Sequence, residues 1–206
     1  MMTKCDTFPL NGSGDVSSEP DTLSKIPGNR AVWVGIFAEF TEFGMFFVIY
    51  VIAKAHYIHE FSQGPELLNT LAGTLNTVVL ITSSYFVAKA MSAIRQGDSS
   101  ACTRWLWGTV AAGVIYLIIK GWEYGWNIDH GIHSDTNPFF TVYYYMTFNH
   151  FLHVGWATCS ILWAIYYVNK GHYSRDRHGG LTAIASYWHM VDLAWIIIFP
   201  LLYVLR

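Results

Sequence analysis

"SYWHMVDLAW", residues 186–195, places a histidine and an aspartate three positions apart in a run that is otherwise almost wholly apolar or aromatic. The apolar run extends over 181–205, long enough to cross a bilayer, since a spanning helix needs roughly 20 mostly apolar residues. An ionisable side chain at mid-bilayer costs about 2.5–3.5 kcal/mol on insertion scales, so such residues face the protein interior and find partners there. An i,i+3 spacing puts His189 and Asp192 on one helical face. The stretch therefore reads as a membrane-crossing helix whose polar face turns toward other helices.

The rest of the chain agrees. Its 206 residues are 53% hydrophobic, 17% aromatic and 13% charged, where soluble domains carry about 25% charged residues. Five spanning helices are expected, over 31–55, 68–94, 104–128, 138–168 and 181–205, joined by short connections rich in turn residues: "SQGPE" (62–66), "RQGDSS" (95–100), "DHGIHSDTNP" (129–138) and "NKGHYSRDRHGG" (169–180). No connection is long enough to fold by itself. The fold class is an all-α integral membrane protein: one five-helix bundle over 31–206 behind a polar tail, 1–30. That tail lacks the basic start and apolar stretch of a signal peptide.

Lys and Arg concentrate in the tail (Lys4, Lys25, Arg30), the second connection (Arg95, Arg104) and the fourth (Lys170, Arg175, Arg177). All three lie on one side of a five-helix bundle, which predicts a cytoplasmic N-terminus and an outside C-terminus. Trp33, Trp105, Trp107, Trp122, Trp126 and Tyr203 fall near helix ends, as interfacial aromatics do. His56, His59, His130 and His133 are expected as solvated residues of the outer interface. A net charge of −2, with no basic face, argues against nucleic acid as a partner. Cys5, Cys102 and Cys159 form no CxxC and no even-numbered framework, so no disulfide is expected; Cys159 reads as a packing residue.

The polar residues within the spans recur as i,i+3 pairs: Glu39 with Glu42, Lys120 with Glu123, His150 with His153, and His189 with Asp192. Internal pairing is the first reading, Glu123 with a histidine of the fourth span and Asp192 with His189 or a tryptophan N–H. A proton-handling site is the second, with Glu39 the candidate because no basic residue is near it in sequence. A haem or metal site using His150, His153 and His189 is a third. The histidine pair of the fourth span is only half a metal site, and a metal would need further His, Cys or carboxylate ligands. The expectation is therefore no catalytic residue and no metal in this chain. Helix 68–94, rich in Gly, Ser, Thr and Asn, reads as a close-packing helix; a small transporter would also use such residues.

Five ordered blocks carry a family resemblance: "AEFTEFGMFF" (38–47), "LNTVVLITSS" (75–84), "GWEYG" (121–125), "NHFLHV" (149–154) and "YWHMVDLAW" (187–195). Together they resemble subunit III of the haem-copper oxidases, a non-catalytic membrane subunit. The resemblance implies no haem or copper in this chain, with haem and non-haem metal confined to partner subunits. It also implies a catalytic haem-copper-type membrane subunit as partner, membrane lipids including a bound phospholipid, and a bacterial cytoplasmic (inner) membrane location. By motif position Glu39 matches the family's buried carboxylate, the one known for reaction with a carbodiimide. Glu123, His150, His153, His189 and Asp192 match its polar helix-packing positions. Glu42 and Lys120 are additions, and "TFNHFLHV" (147–154) has Phe148, Asn149 and Phe151 where small residues are common. The usual form has seven helices; here a 30-residue polar tail stands in place of the first two. This short form resembles the subunit-III-like proteins associated with bacterial nitric oxide reductases, so that branch is expected ahead of an aerobic-oxidase subunit. The expected role is support of assembly, stability or sustained turnover.

Overall fold

A computed structural model describes residues 30–205, and the side chains of 33–205. The polar tail, apart from Arg30, lies outside the described residues. The elements are α1 (Arg30–His56), α2 (Ile58–Leu67), α3 (Thr70–Arg95), α4 (Ser99–Asp129), α5 (Pro138–Asn169) and α6 (Gly179–Phe199), closed by a π-helical turn, Pro200–Val204. Five stretches are long and apolar enough to cross a membrane: Trp33–His56, Thr70–Arg95, Ser99–Asp129, Pro138–Asn169 and Gly179–Val204.

Local chemistry sets the helix ends. Asn69, Asp98 and Asn137 cap α3, α4 and α5, each side chain accepting a backbone N–H three residues on, at 3.1, 2.8 and 3.0 Å. Gly97, Gly131 and Gly171 follow the C-termini of α3, α4 and α5 with φ of 86°, 74° and 73°, in the left-handed region glycine enters without a Cβ penalty.

The connection expected at 62–66 differs. "SQGPE" lies inside α2, where Phe61, Gly64 and Pro65 form its buried face. Gly64 serves there as a contact point, since a Cβ would run into the ring of Phe139. Pro65 stands two residues before the helix ends. Two residues that read as breakers instead allow α2 to lie close against α5.

Helices α3 and α4 pack most extensively, and α4–α5, α5–α6 and α3–α6 contacts complete a four-helix ring; α1 rests on the outside of α5 and α6. Only 17% of the most apolar window of α1 is buried, against 50% for the last span, so α1 presents most of its surface outward. Because Pro200 has no N–H to continue the α-helical ladder, the final turn widens, and the Leu205 N–H donates to the Pro200 carbonyl at 2.8 Å. The Tyr50 hydroxyl of α1 donates to the Leu201 carbonyl at 2.6 Å, tying α1 to this turn.

Two expectations about exposure are reversed. Tyr203 is buried, at 4% exposure, because the π-turn rotates it into the bundle. Cys159 is exposed on the outer face of α5, and among the described residues the buried thiol is Cys102. His56, His59, His130 and His133 are exposed.

Candidate functional site

Ionisable groups gather in three places within the bundle. Near the end closed by α2, Lys120 and Glu123 are both fully buried and form an ion pair at 3.1 Å. The Lys120 ammonium also donates to the hydroxyls of Tyr143 (3.1 Å) and Tyr203 (2.7 Å). Those hydroxyls in turn donate to Glu123 Oε1, at 2.8 and 2.5 Å. Rings of Tyr124, Tyr143, Trp195 and Tyr203 lie 4.8–5.5 Å from the ammonium, within cation–π range. Burial of two charges is tolerated because every strong hydrogen-bonding direction meets a partner. The expected partner of Glu123, a histidine of α5, is replaced by Lys120 one turn away and by two tyrosines. The three spans α4, α5 and α6 thereby meet at one carboxylate.

At mid-bundle, α3 and α6 are joined through Ser84. Its hydroxyl donates to Asp192 Oδ2 and lies 2.9 Å from His189 Nδ1. With its proton committed to Asp192, Ser84 accepts from His189, which fixes Nδ1 as the protonated nitrogen of that ring. Serine is thus the middle member and histidine the donor, the reverse of a nucleophilic triad, in which histidine stands between serine and carboxylate. The expected direct pairing of Asp192 with His189 is corrected, since Ser84 stands between them, whereas a tryptophan does lie against the carboxylate: Trp188 donates to Ser83 at 3.0 Å and its indole also interacts with Asp192, while Trp195 donates to Thr77 at 2.9 Å. Interhelical hydrogen bonds in membranes are worth about 0.6–1.7 kcal/mol. Asp192→Leu is therefore expected to lower the thermal unfolding midpoint in mild detergent and the yield of assembled protein, with absorption spectra unchanged; full yield and midpoint would show that α3 and α6 do not need the link.

His150, fully buried, lies 2.9 Å from the Tyr116 hydroxyl through Nδ1 and 3.1 Å from the Val191 carbonyl through Nε2. Because a carbonyl only accepts, Nε2 carries the proton and Nδ1 accepts from Tyr116. Both ring nitrogens are engaged, so His150 does not join His153 and His189 in a common ligand set.

The third place lies between α1 and α5. The Nε2 of His153 is 2.5 Å from Glu39 Oε2, while its Nδ1 is 2.8 Å from the Asn149 carbonyl. Asn149 also donates its amide to Glu42 Oε1 at 2.7 Å. Glu39, which has no basic neighbour in sequence, thus acquires one from another helix. Two grooves, of about 470 and 600 Å³, flank this cluster and share Glu39, Trp156 and Tyr187 in their walls. Tyr173, in the α5–α6 connection, lines the first groove, and burial holds its phenol above the usual range.

All eight ionisable residues singled out in the sequence thus find hydrogen-bond or ion-pair partners, seven of them in three separate clusters and His150 apart from these, on Tyr116 and the Val191 carbonyl. Sequence reasoning missed Tyr116, Tyr143, Tyr203, Ser84 and Asn149, hydroxyl or amide residues with no charge to mark them.

The family model described as cytochrome c oxidase subunit III matches residues 34–205. A cytochrome c oxidase subunit 3 of Synechocystis sp. is 38% identical over 142 residues, covering 68% of this chain and 59% of that protein. One from Thermostichus vulcanus is 34% identical over 173 residues, 84% of each. A probable cytochrome c oxidase subunit 3 of Mycobacterium tuberculosis is 26% identical over 175 residues, 85% of each. With the match running across all five spans and every polar cluster, this chain belongs to the cytochrome c oxidase subunit III family.

Proposed function

We propose that the chain is the non-catalytic subunit III of an aerobic haem-copper oxidase, held in a bacterial cytoplasmic membrane against a catalytic subunit that carries the haem and metal. The observation that supports this reading is the internal pairing of the ionisable groups of α3 to α6 among the described residues: Lys120 is bonded to Glu123, and Asp192 and His189 to Ser84, as expected of groups that join helices. Groups of this kind hold helices in register, and the outward apolar faces are left for lipid and a partner subunit. The outward face of α1, with Phe37, Val48 and Ile52 all more than half exposed, is the broadest of these.

The nitric oxide reductase branch expected from the short form is not supported by the relatives named above, which are all described as cytochrome c oxidase subunits. The Thermostichus vulcanus protein, named for cytochrome c oxidase, is matched over 84% of its own length. A short form therefore does not separate the two branches, and the oxidase reading takes precedence.

Gentle solubilisation of the tagged chain is expected to bring down a larger membrane subunit with haem absorption. Isolation of this polypeptide alone, with stoichiometric haem or dye-reducing activity, would overturn the reading. Within the complex Glu39, at the α1–α5 contact, is assigned to proton or lipid interaction near the catalytic partner. Glu39→Gln is expected to change the pH profile of turnover or shorten the lifetime of activity; an enzyme unchanged in both would remove that role. The Lys and Arg bias predicts a cytoplasmic N-terminus, which labelling of a tail cysteine from either side of sealed vesicles would check.

A further inference from the structure

We propose that Glu39, Glu42 and His153 form a binding site for one divalent metal ion of the zinc class between α1 and α5. One ligand atom from each of the three lies within 4.8 Å of the others. The two glutamates come from successive turns of α1, and the histidine faces them from α5.

The orientation of the His153 ring supports this assignment. Its Nδ1 lies 2.8 Å from the Asn149 carbonyl, which only accepts, so Nδ1 carries a hydrogen and Nε2 is the ring atom turned toward the glutamates. That nitrogen faces Glu39 Oε2 at 2.5 Å. Glu39 Oε2 is itself buried, and among the described residues no donor is aligned with it. An imidazole nitrogen and a carboxylate oxygen this close hold a positive species between or beside them, a proton or a metal ion.

Charge balance favours the metal. A single proton neutralises one of the two carboxylates, and the described ion pairs offer neither Glu39 nor Glu42 a Lys or Arg; the buried Lys120 is taken by Glu123. A divalent cation bound by one neutral imidazole and two carboxylates leaves a neutral cluster, the form least costly among apolar helices. Zinc binds His nitrogen and carboxylate oxygen at about 2.0–2.2 Å. Seating it needs Glu39 to withdraw from His153 by roughly 1 Å for tetrahedral spacing, a movement a partly exposed side chain allows.

The surroundings resemble the support of a metal site. Asn149 holds the His153 ring through its carbonyl and Glu42 through its amide, the outer-shell orientation that metal ligands ordinarily receive. The groove of about 600 Å³ beside Glu39 and His153 gives an ion access and leaves room for water as a fourth ligand. The sequence showed only half a site in His150 and His153; the other ligands come from α1, and His150 is not among them.

The test uses the full chain with its co-purifying subunits, stripped by a chelator and dialysed against zinc. Glu42→Gln keeps the Oε1 acceptor for Asn149 and so preserves the helix contact. His133→Gln, at an exposed position, controls for surface binding. Metal analysis after gel filtration is expected to find one more zinc per complex in the wild type and the His133→Gln control than in Glu39→Gln or Glu42→Gln. Each of these two variants should bind at least about 10–100-fold more weakly, the loss ordinarily seen when only an outer-shell partner is removed. Zinc should also raise the unfolding midpoint of the wild type and not of the two variants. Equal zinc content in wild type and both variants, or loss of zinc only in His133→Gln, would overturn the proposal.

Discussion

Lys120→Met is expected to destabilise the bundle by about 3–5 kcal/mol, the range for removing one partner of a buried ion pair. Glu123 would then keep its charge at a fully buried position, with only the hydroxyls of Tyr143 and Tyr203 as donors. The informative comparison is the double variant Lys120→Met with Glu123→Gln. It removes both charges while the Gln carbonyl still accepts from the two tyrosines, and replacing a whole buried pair is often nearly neutral. Thermal unfolding in mild detergent should therefore show the double variant above the single one. A double variant as unstable as the sum of its parts would mean that the charges themselves, and not the unpaired remainder, sustain this end of the bundle.

Trp195→Ala should have an effect of similar size, about 3–5 kcal/mol for a buried large aromatic. Trp195 is fully buried. Its ring lies 5.3 Å from that of Tyr116, 5.0 Å from His150 and 5.5 Å from the Lys120 ammonium. Its N–H reaches across to Thr77 of α3. One side chain thus separates the ion pair from the His150–Tyr116 bond and joins α6 to α3 and α4. Thr77→Val, which removes the hydroxyl that accepts from Trp195 and donates to the Gly73 carbonyl within its own helix while keeping the side chain's shape, should cost about 1 kcal/mol. If the two variants lose equal stability, packing around the indole is not what holds these helices.

The polar pairs were legible because charge within an apolar span is conspicuous and i,i+3 spacing forces both members onto one face. The residues completing the clusters were not. Tyr203 stands near the chain end, where an aromatic belt explains it equally well, and only the π-turn after Pro200 brings its hydroxyl to Glu123. Ser84 is one small residue among several in a helix full of them; its place between His189 and Asp192 depends on how far α3 is rotated about its axis. Gly64 and Pro65 signal a turn by composition, yet they lie within α2, where the missing Cβ of Gly64 makes room for the ring of Phe139, a neighbour from another helix that the local sequence does not reveal.

By itself the sequence determined the number of spans and the i,i+3 pairing of their polar residues, since apolar length and helical periodicity belong to each segment separately; which members turn inward it did not determine, for His189 is exposed while its pair-mate Asp192 is buried. The partners were decided only by tertiary structure: Glu123 with Lys120 and two tyrosines, Ser84 between His189 and Asp192, and Glu39 with His153. Such contacts join helices as much as 114 residues apart, 153 − 39, in the Glu39–His153 pair. Helix rotation and depth in the bundle set these contacts, and both follow from how all the helices pack together.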